Sequence, residues 1–419
     1  MTGKADQDYA VSFEDIQAAA ETLIGHVVRT PLIAAPKMSA LTGADIFVKY
    51  ENLQFTNSFK DRGAYLKLAS LNKDECKRGV IAMSAGNHAQ AVAYHAGRLG
   101  IPAVIVMPEG SPFVKIGNTE ALGAEVVLSG ETLTESRVKV EEIAKDRNLI
   151  LIHPYDDPLV IAGQGTVGLE VLADKPDLDM LVIPIGGGGL MAGCAIAAKA
   201  IKPDIEMIGV EAALFPSMYH GIRGEQPVCG GQTLAEGIAV KAAGNLTLPI
   251  VRDLISDIIL VDETAIESAI CALLSIQKTM VEGAGAAGLA AIMQEQDRFK
   301  GKKVALVLTG GNIDPRILAS IIVRGLEHEE KIISLRITIT DQPGVLGAIA
   351  TMLGDAGANI LEVSHRRMFL EVPAKGATLD FVIETKDAAH GRQVMKSISA
   401  AGFEVVRLAE GAGSEFGAY

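Results

Sequence analysis

The chain has 419 residues, with 44 Gly, no Trp, 49% hydrophobic and 21% charged residues, and a net charge of -13. That apolar content excludes a disordered polymer, and the glycines lack the three-residue period of collagen. The acidic balance without a basic run argues against nucleic acid as a partner, and the length suggests two or three domains that need no disulfide or metal to fold.

The first residues, Met1 to Asp15, are polar and acidic, so no secretory signal is expected, and no apolar run reaches membrane-spanning length. The cysteines (Cys76, Cys194, Cys229, Cys271) lack any metal-ligand spacing. Reduced thiols in a cytoplasmic protein, with no metal centre, are expected. Ser12-Phe13-Glu14-Asp15 reads as the cap of a first helix. Strands are expected at Gly79–Met83, Ala103–Met107, Glu125–Leu128, Met180–Ile185, Met207–Glu211 and Lys303–Thr309, mostly followed by helical stretches. This alternation predicts a parallel α/β architecture, with the strands near 79–128 in a smaller sheet of their own.

The pattern changes near Arg324. The charged stretch 326–331 reads as a linker after a first part covering residues 1–325. Beyond it, Ser334–Thr340, Val345–Ala356, Asn359–Met368, Ala377–Glu384, Ala388–Ala401 and Phe403–Leu408 spell βαββαβ, a ferredoxin-like unit over 332–410, with a tail at 411–419. Nearly all of the negative charge precedes Lys331.

Three glycine-rich stretches compete as anion sites. Gly186-Gly187-Gly188-Gly189-Leu190 follows an expected strand and precedes the helical run Met191–Ile201. Its backbone N–H groups and the helix dipole suit a phosphate, whereas a bare turn would need only one or two glycines. The runs Gly163–Gly168 and Gly283–Gly288 match the dinucleotide fingerprint in spacing but not in context, and both read as close-packed helix starts. No Gly-Lys-Ser/Thr occurs, so a nucleoside-triphosphate loop is excluded. A phosphorylated cofactor is the remaining reading.

Lys60, in Ser58-Phe59-Lys60-Asp61-Arg62-Gly63, precedes a predicted helix Ala64–Leu71. The positive end of that helix helps keep the amine neutral and able to form a Schiff base, and Phe59 offers an apolar face. On spacing alone an ordinary surface lysine is the plainer reading. The stretch nevertheless resembles the pyridoxal-phosphate attachment motif of the serine/threonine dehydratases, enzymes of the tryptophan-synthase-β type (fold type II). Arg29-Thr30-Pro31-Leu32, Ser84-Ala85-Gly86-Asn87-His88-Ala89-Gln90, the four-glycine loop and Leu308-Thr309-Gly310-Gly311-Asn312 resemble that family in the same order, over about residues 12 to 325. The tail resembles a single ACT domain, and the whole chain is similar to the threonine dehydratases (threonine ammonia-lyases) that carry one.

The resemblance implies a fold type II catalytic part, with a smaller subdomain at roughly 50–155, and a ferredoxin-like ACT domain. It implies pyridoxal 5'-phosphate held on Lys60, with Phe59 against the ring and Asn87 bonded to the ring hydroxyl. Gly186 to Gly189 with Leu190 would hold the phosphate, and Thr309 would meet the pyridine nitrogen. Ser84, Ala85, Gly86, Asn87 and His88 would form the loop that grips the substrate carboxylate. A threonine at the pyridine nitrogen supplies no charge, which suits β-elimination better than a long-lived carbanion. The implied reaction is conversion of L-threonine to 2-oxobutanoate and ammonia, and of L-serine to pyruvate. A serine or 3-hydroxyaspartate dehydratase is the same-chemistry alternative, and an amino-acid-binding regulator on an inactive scaffold the non-enzymatic one.

The chain departs from the related serine racemases, which resemble Ser-Ser-Gly-Asn-His. Ala85 stands in place of their second serine and has no transferable proton. Their divalent-cation site after Gly-Val-Glu lacks a second carboxylate here, beyond Glu211 and near Ser217. Resemblance to the O-acetylserine sulfhydrylases is weaker, because their asparagine loop ends without His. His88 reads as a loop-fixing histidine rather than a base, Tyr155 as a pocket or packing residue, and Glu282 as facing the cofactor side. ACT domains usually bind a free amino acid and pair with one another. Leu346 and Asn359 are the ligand candidates, with a dimerisation module that binds nothing as the alternative, and a homo-oligomer (dimer or tetramer) is expected.

Overall fold

A computed structural model of the chain describes residues 9–130, 133–367 and 376–408. The chain forms two compact units, Met1–Ile313 and Asp314–Tyr419. The helix Pro315–His328 groups with the second unit and runs through the expected boundary at 325 into the stretch read as a linker. The expected tail lies outside the described residues.

The first unit holds two sheets. The larger contains β1 (Leu32–Ala34), β2 (Asp45–Lys49), β7 (Met180–Pro184), β8 (Glu206–Ala212), β9 (Asp257–Val261) and β10 (Lys303–Val307), ordered β1-β2-β10-β7-β8-β9. Every pairing is parallel except β1 with β2. The smaller sheet contains β3 (Val80–Met83), β4 (Ala103–Met107), β5 (Glu125–Leu128) and β6 (Ile150–Leu151), all parallel, in the order β5-β4-β3-β6. All five residues of β4 and of β7 are buried, the mark of strands covered on both faces. The smaller sheet takes in β6 as well as the strands expected near 79–128.

Three helices set the site's foundations. The helix Lys60–Ala69 begins four residues before its expected start. The Asp61 carboxylate accepts from Thr56 N–H (3.0 Å) and Thr56 Oγ1 (2.5 Å), and Phe59 N–H donates to Thr309 O (3.1 Å), so the chain is already wound at Lys60. The run Gly163–Gly168 lies inside the helix Pro158–Asp174 rather than at its start, which corrects the sequence expectation. Asp157 caps that helix by accepting from Leu159 and Val160 N–H, and Pro158 occupies its first turn, a start signal visible in the sequence. Its glycines serve close packing: a Cβ on Gly163 would lie 2.7 Å from Gly63 Cα, and one on Gly193 would lie 2.6 Å from Gly165 N. Gly193 belongs to the third helix, Gly189–Ile201. The other run, Gly283–Gly288, does open a helix, Gly283–Gln294.

In the second unit, β11 (Ile332–Thr340), β12 (Asn359–Arg366), β13 (Gly376–Glu384) and β14 (Glu404–Arg407) form an antiparallel sheet ordered β12-β13-β11-β14. With the helices Val345–Asp355 and Ala388–Ala400 this is the expected βαββαβ unit. Alternate residues of β11 (Ile333, Leu335, Ile337, Ile339) are buried with Leu379, Phe381 and Ile383 of β13 and with Ile349, Leu353, Val394 and Ile398 from the helices. On the other face Arg336 grips Asp380 through two bonds of 2.7 Å, and Arg366 joins at 3.3 Å.

Candidate active site

In parallel α/β sheets the loops beyond the carboxyl ends of the strands build the site. Here the Ser84–Asn87 loop follows β3, the glycine turn follows β7, the Thr309–Asn312 loop follows β10, and the segment leading to Lys60 follows β2. Phe59, Lys60, Ser84 to Asn87, Gly186 and Glu282 are partly exposed, whereas the strands beneath them are buried. The bonds of Lys60 to Pro154 O and of Asn87 to Glu282 join the elements that carry them.

Lys60 is the first residue of its helix. Its Nζ donates to Pro154 O (2.7 Å) and lies 5.0 Å from the centre of the Phe59 ring. Burial lowers the amine to about 8, with Glu282 opposing the shift, so at neutral pH an appreciable fraction is uncharged. Phe59 and its neighbour are tied to the β10 loop, because Ser58 forms a β-bridge with Gly310.

Gly186 to Gly189 form the turn from β7 into the helix Gly189–Ile201. Gly188 has φ +95°, and a Cβ there would meet Met218 Cε at 2.5 Å and Thr247 Oγ1 at 2.7 Å. A Cβ on Gly187 would sit 2.3 Å from the Tyr155 ring, and one on Gly189 would sit 3.0 Å from Tyr155 O. Only glycine fits this cradle. It is pinned from behind: Thr247 Oγ1 donates to Gly187 O (2.6 Å), and Asp156 accepts from Asn245 N–H (2.9 Å) and Leu246 N–H (2.8 Å). Leu190 is buried at the foot of the turn. Bare backbone at the N-terminus of a 13-residue helix, close to a part-neutral lysine, fits the phosphate of pyridoxal phosphate.

Asn87 starts the helix Asn87–Leu99. Its Nδ2 donates to Glu282 Oε1 (2.7 Å), and its Oδ1 accepts from Asn312 Nδ2 (2.7 Å). Burial lifts the Glu282 carboxyl to about 7, against a lowering by the Asn87 bond and Lys115. Lys115 in turn pairs with Glu236. In the Ser84 loop, Ser84 Oγ accepts from Gly86 N–H (3.1 Å). The Ala85 side chain carries no proton donor. The His88 ring is buried against Ile152 O (2.8 Å), and burial together with Lys60 pushes it down to about 3, so it is a neutral ring that fixes the loop. Thr309 is buried beside the Phe59 backbone.

Behind Lys60 lies a cluster that sequence reasoning missed. The Arg62 guanidinium bonds Glu51 (2.7 and 2.8 Å) and Glu170 (2.6 and 2.8 Å), while Lys49 pairs with Glu170 and donates to Thr30 O (2.7 Å). Thr30 Oγ1 completes the set on Glu51. Two positive and two negative side chains balance there, which is why the charges survive burial. Asn312 stands in a motif that assigns it no role, Tyr155 reads only as a pocket or packing residue, and Asp156 and Thr247 give no local signal.

Glu211 spends both carboxylate oxygens on Met218 and Tyr219 N–H (2.8 Å each). Among the described residues no three His, Cys, Asp or Glu side chains converge as a metal site. In the second unit Leu346 lies in the first turn of the helix Val345–Asp355, and Asn359 opens β12 with its Nδ2 bonded to Glu384 (3.2 Å).

Comparison with known proteins matches residues 23–310 to the family described as pyridoxal-phosphate dependent enzyme and residues 333–403 to the ACT domain. The chain is 43% identical to the L-threonine ammonia-lyase of Thermotoga maritima over 397 residues, covering 94% of this chain and 99% of that protein. Among solved structures, threonine deaminase isoform 2 from Solanum lycopersicum aligns with TM-score 0.70 at 36% identity, covering 74% of this chain and 86% of that one. Maize serine racemase aligns with TM-score 0.71 at 34% identity, covering 77% and 100%. No described helix is long and apolar enough to cross a membrane. With this fold, this lysine and this length of match, the chain belongs to the L-threonine ammonia-lyase family of pyridoxal-phosphate dependent lyases and carries a C-terminal ACT domain.

Proposed function

We propose that the chain deaminates L-threonine to 2-oxobutanoate and ammonia, and L-serine to pyruvate. The single observation that carries this is the full-length relationship, ACT domain included, to L-threonine ammonia-lyases. Pyridoxal phosphate, when bound, supplies the electron sink that makes the substrate Cα–H acidic. The chain's own residues do the rest. The backbone N–H groups of Gly186 to Gly189, with Leu190 behind them, hold the phosphate, and Phe59 flanks the ring. Asn87 would hydrogen-bond the ring oxygen. Ser84, Ala85, Gly86, Asn87 and His88 form the carboxylate-binding loop, in which His88 acts through its backbone because its ring is spent on Ile152 O. Lys60, part-neutral at physiological pH, accepts the Cα proton. Thr309 would meet the pyridine nitrogen with a hydroxyl, which cannot supply the charge that would favour a persistent carbanion. Ala85 cannot deliver a proton to the opposite face, which argues against racemisation despite the likeness to a serine racemase.

The proposed division is a catalytic part to residue 325 and an ACT part over 332–410 that binds a free amino acid, with pairing of copies as a dimer or tetramer. None of the four cysteines is in a disulfide, in keeping with a cytoplasmic protein. The test is 2-oxo acid formation by purified protein from threonine, serine and 3-hydroxyaspartate, with and without isoleucine or valine. Serine or 3-hydroxyaspartate turned over far faster than threonine would replace the substrate assignment. No 2-oxo acid from any of the three would sink the enzyme reading. An unchanged rate with both effectors would remove these two as ligands.

A further inference from the structure

The amide of Asn87 can face the cofactor with either its N–H or its carbonyl oxygen, and the two choices have opposite chemical meanings. An N–H favours a deprotonated ring oxygen, and a carbonyl oxygen favours a ring hydroxyl that keeps its proton. A chain of contacts behind Asn87 decides between them. It begins at the main-chain carbonyl of Thr56, which can only accept. Asn312 Nδ2 donates to that carbonyl (2.9 Å), and its Oδ1 accepts from Asn57 Nδ2 (3.3 Å), so the Asn312 amide has one self-consistent orientation. With its NH2 turned this way, Asn312 also donates to Asn87 Oδ1 (2.7 Å). Asn87 Oδ1 is therefore occupied, and Nδ2 must turn to Glu282 Oε1 (2.7 Å). One N–H of that Nδ2 remains, and Asn87, like Lys60, is partly exposed.

Glu282 is held as firmly. Its own N–H donates to Gly310 O (3.1 Å), and its carboxylate also accepts from the Asn312 backbone. A Cβ on Gly310 would come within 2.4 Å of Glu282 Oε1 and 2.9 Å of Asn87 Nδ2, so this closeness depends on glycine. The charged groups acting on the Glu282 carboxylate are Lys115 and Glu236, and Glu282 itself acts on Lys60.

We propose that Asn312 and Glu282 are positioning residues which hold the Asn87 amide with its N–H, rather than its carbonyl oxygen, toward the ring oxygen of the cofactor. The polarity is set at Asn312 by the Thr56 carbonyl, and Glu282 anchors the far end. The proposal rests on the reading of Asn87 given above, and the experiment separates the two. Full-length holoenzymes of the wild type, Asn87→Ala, Asn312→Asp and Glu282→Ala are compared by the visible absorption of the bound cofactor across neutral pH and by its dissociation constant.

Asn312→Asp keeps the shape but cannot donate, so Asn87 inverts, with Nδ2 on the introduced carboxylate and Oδ1 accepting from a Glu282 carboxyl that takes up a proton. Its carbonyl then faces the ring oxygen, the band moves to shorter wavelength as that oxygen takes a proton, and affinity falls about tenfold. Glu282→Ala loses the anchor but not the polarity, so affinity falls while the band stays in place. A wild-type band and affinity in Asn312→Asp, with both altered in Asn87→Ala, overturns the relay and leaves the role of Asn87 standing. No change in Asn87→Ala overturns both. If Asn312→Asp does not fold, unchanged affinity in Glu282→Ala overturns the proposal alone.

Discussion

Lys60 and Arg62 sit two residues apart in one helix, yet their surroundings treat positive charge in opposite ways. The Lys60 amine bonds a backbone carbonyl and no carboxylate, and burial lowers it to about 8 against a pull from Glu282. The Arg62 guanidinium faces inward and meets two carboxylates, which hold it fully charged. Burial alone therefore does not fix a charge state. A partner carboxylate does, and withholding one is how a lysine becomes a nucleophile and base.

Removing the reactive member is expected to have the largest effect. Lys60→Ala should abolish the visible band of the bound cofactor and lower turnover by about a thousandfold or more, checked by absorbance and 2-oxo acid assay. Retained turnover would dissolve the contrast. Removing the structural member should act on stability instead. Arg62→Ala leaves Glu51 without its bonded cation and Glu170 with Lys49 alone and should cost about 3–5 kcal/mol in urea unfolding of the apo-protein, whereas the conservative Arg62→Lys should recover only part of this, because an ammonium cannot bond both carboxylates bidentately.

Gly187→Ala tests the cradle opposite Lys60. Its Cβ would meet the Tyr155 ring at 2.3 Å, and relieving that contact should cost about 1–3 kcal/mol, read as weaker cofactor binding with little change in the spectrum. The smallest expected effect is on pH. The rate at which apo-protein captures pyridoxal phosphate should rise through about pH 8 as Lys60 loses its proton. The sign for stability follows from the same shift. The folded amine titrates near 8 and the unfolded one near 10.5, so the unfolded state binds more protons between those values. Wild-type apo-protein should thus gain stability relative to Lys60→Ala as pH rises across that window.

Much of this was legible in the sequence, for local reasons. Continuous β-branched runs announced β4, β7, β8 and β10, and strict alternation announced β11. The strands not expected were short or weakly patterned: β1 has three mostly exposed residues, β6 has two, and β2 is bounded by Asp45 and Lys49. β9 carries the same apolar signal as its neighbours and was open to the same rule. Lys60, Asn87 and the glycine turn could be singled out because each sits in a short motif. The partners that tune them could not, because Arg62 meets Glu170 and Asn87 meets Glu282 across more than a hundred residues of chain, with no local pattern linking them.

The glycine contacts between helices carry a consequence for dimensional accuracy. Gly63 lies in the helix that begins with Lys60, Gly193 in the helix that begins at the glycine turn after β7, and Gly163 and Gly165 in the helix between. Because backbone meets backbone at both junctions, the middle helix works like a machinist's gauge block. The gap between the start of the Lys60 helix and the glycine turn is set by main-chain dimensions that no rotamer can alter. Any side chain inserted at either junction would move one jaw relative to the other, so a single methyl group there would be felt as a misfit between Lys60 and the glycine turn.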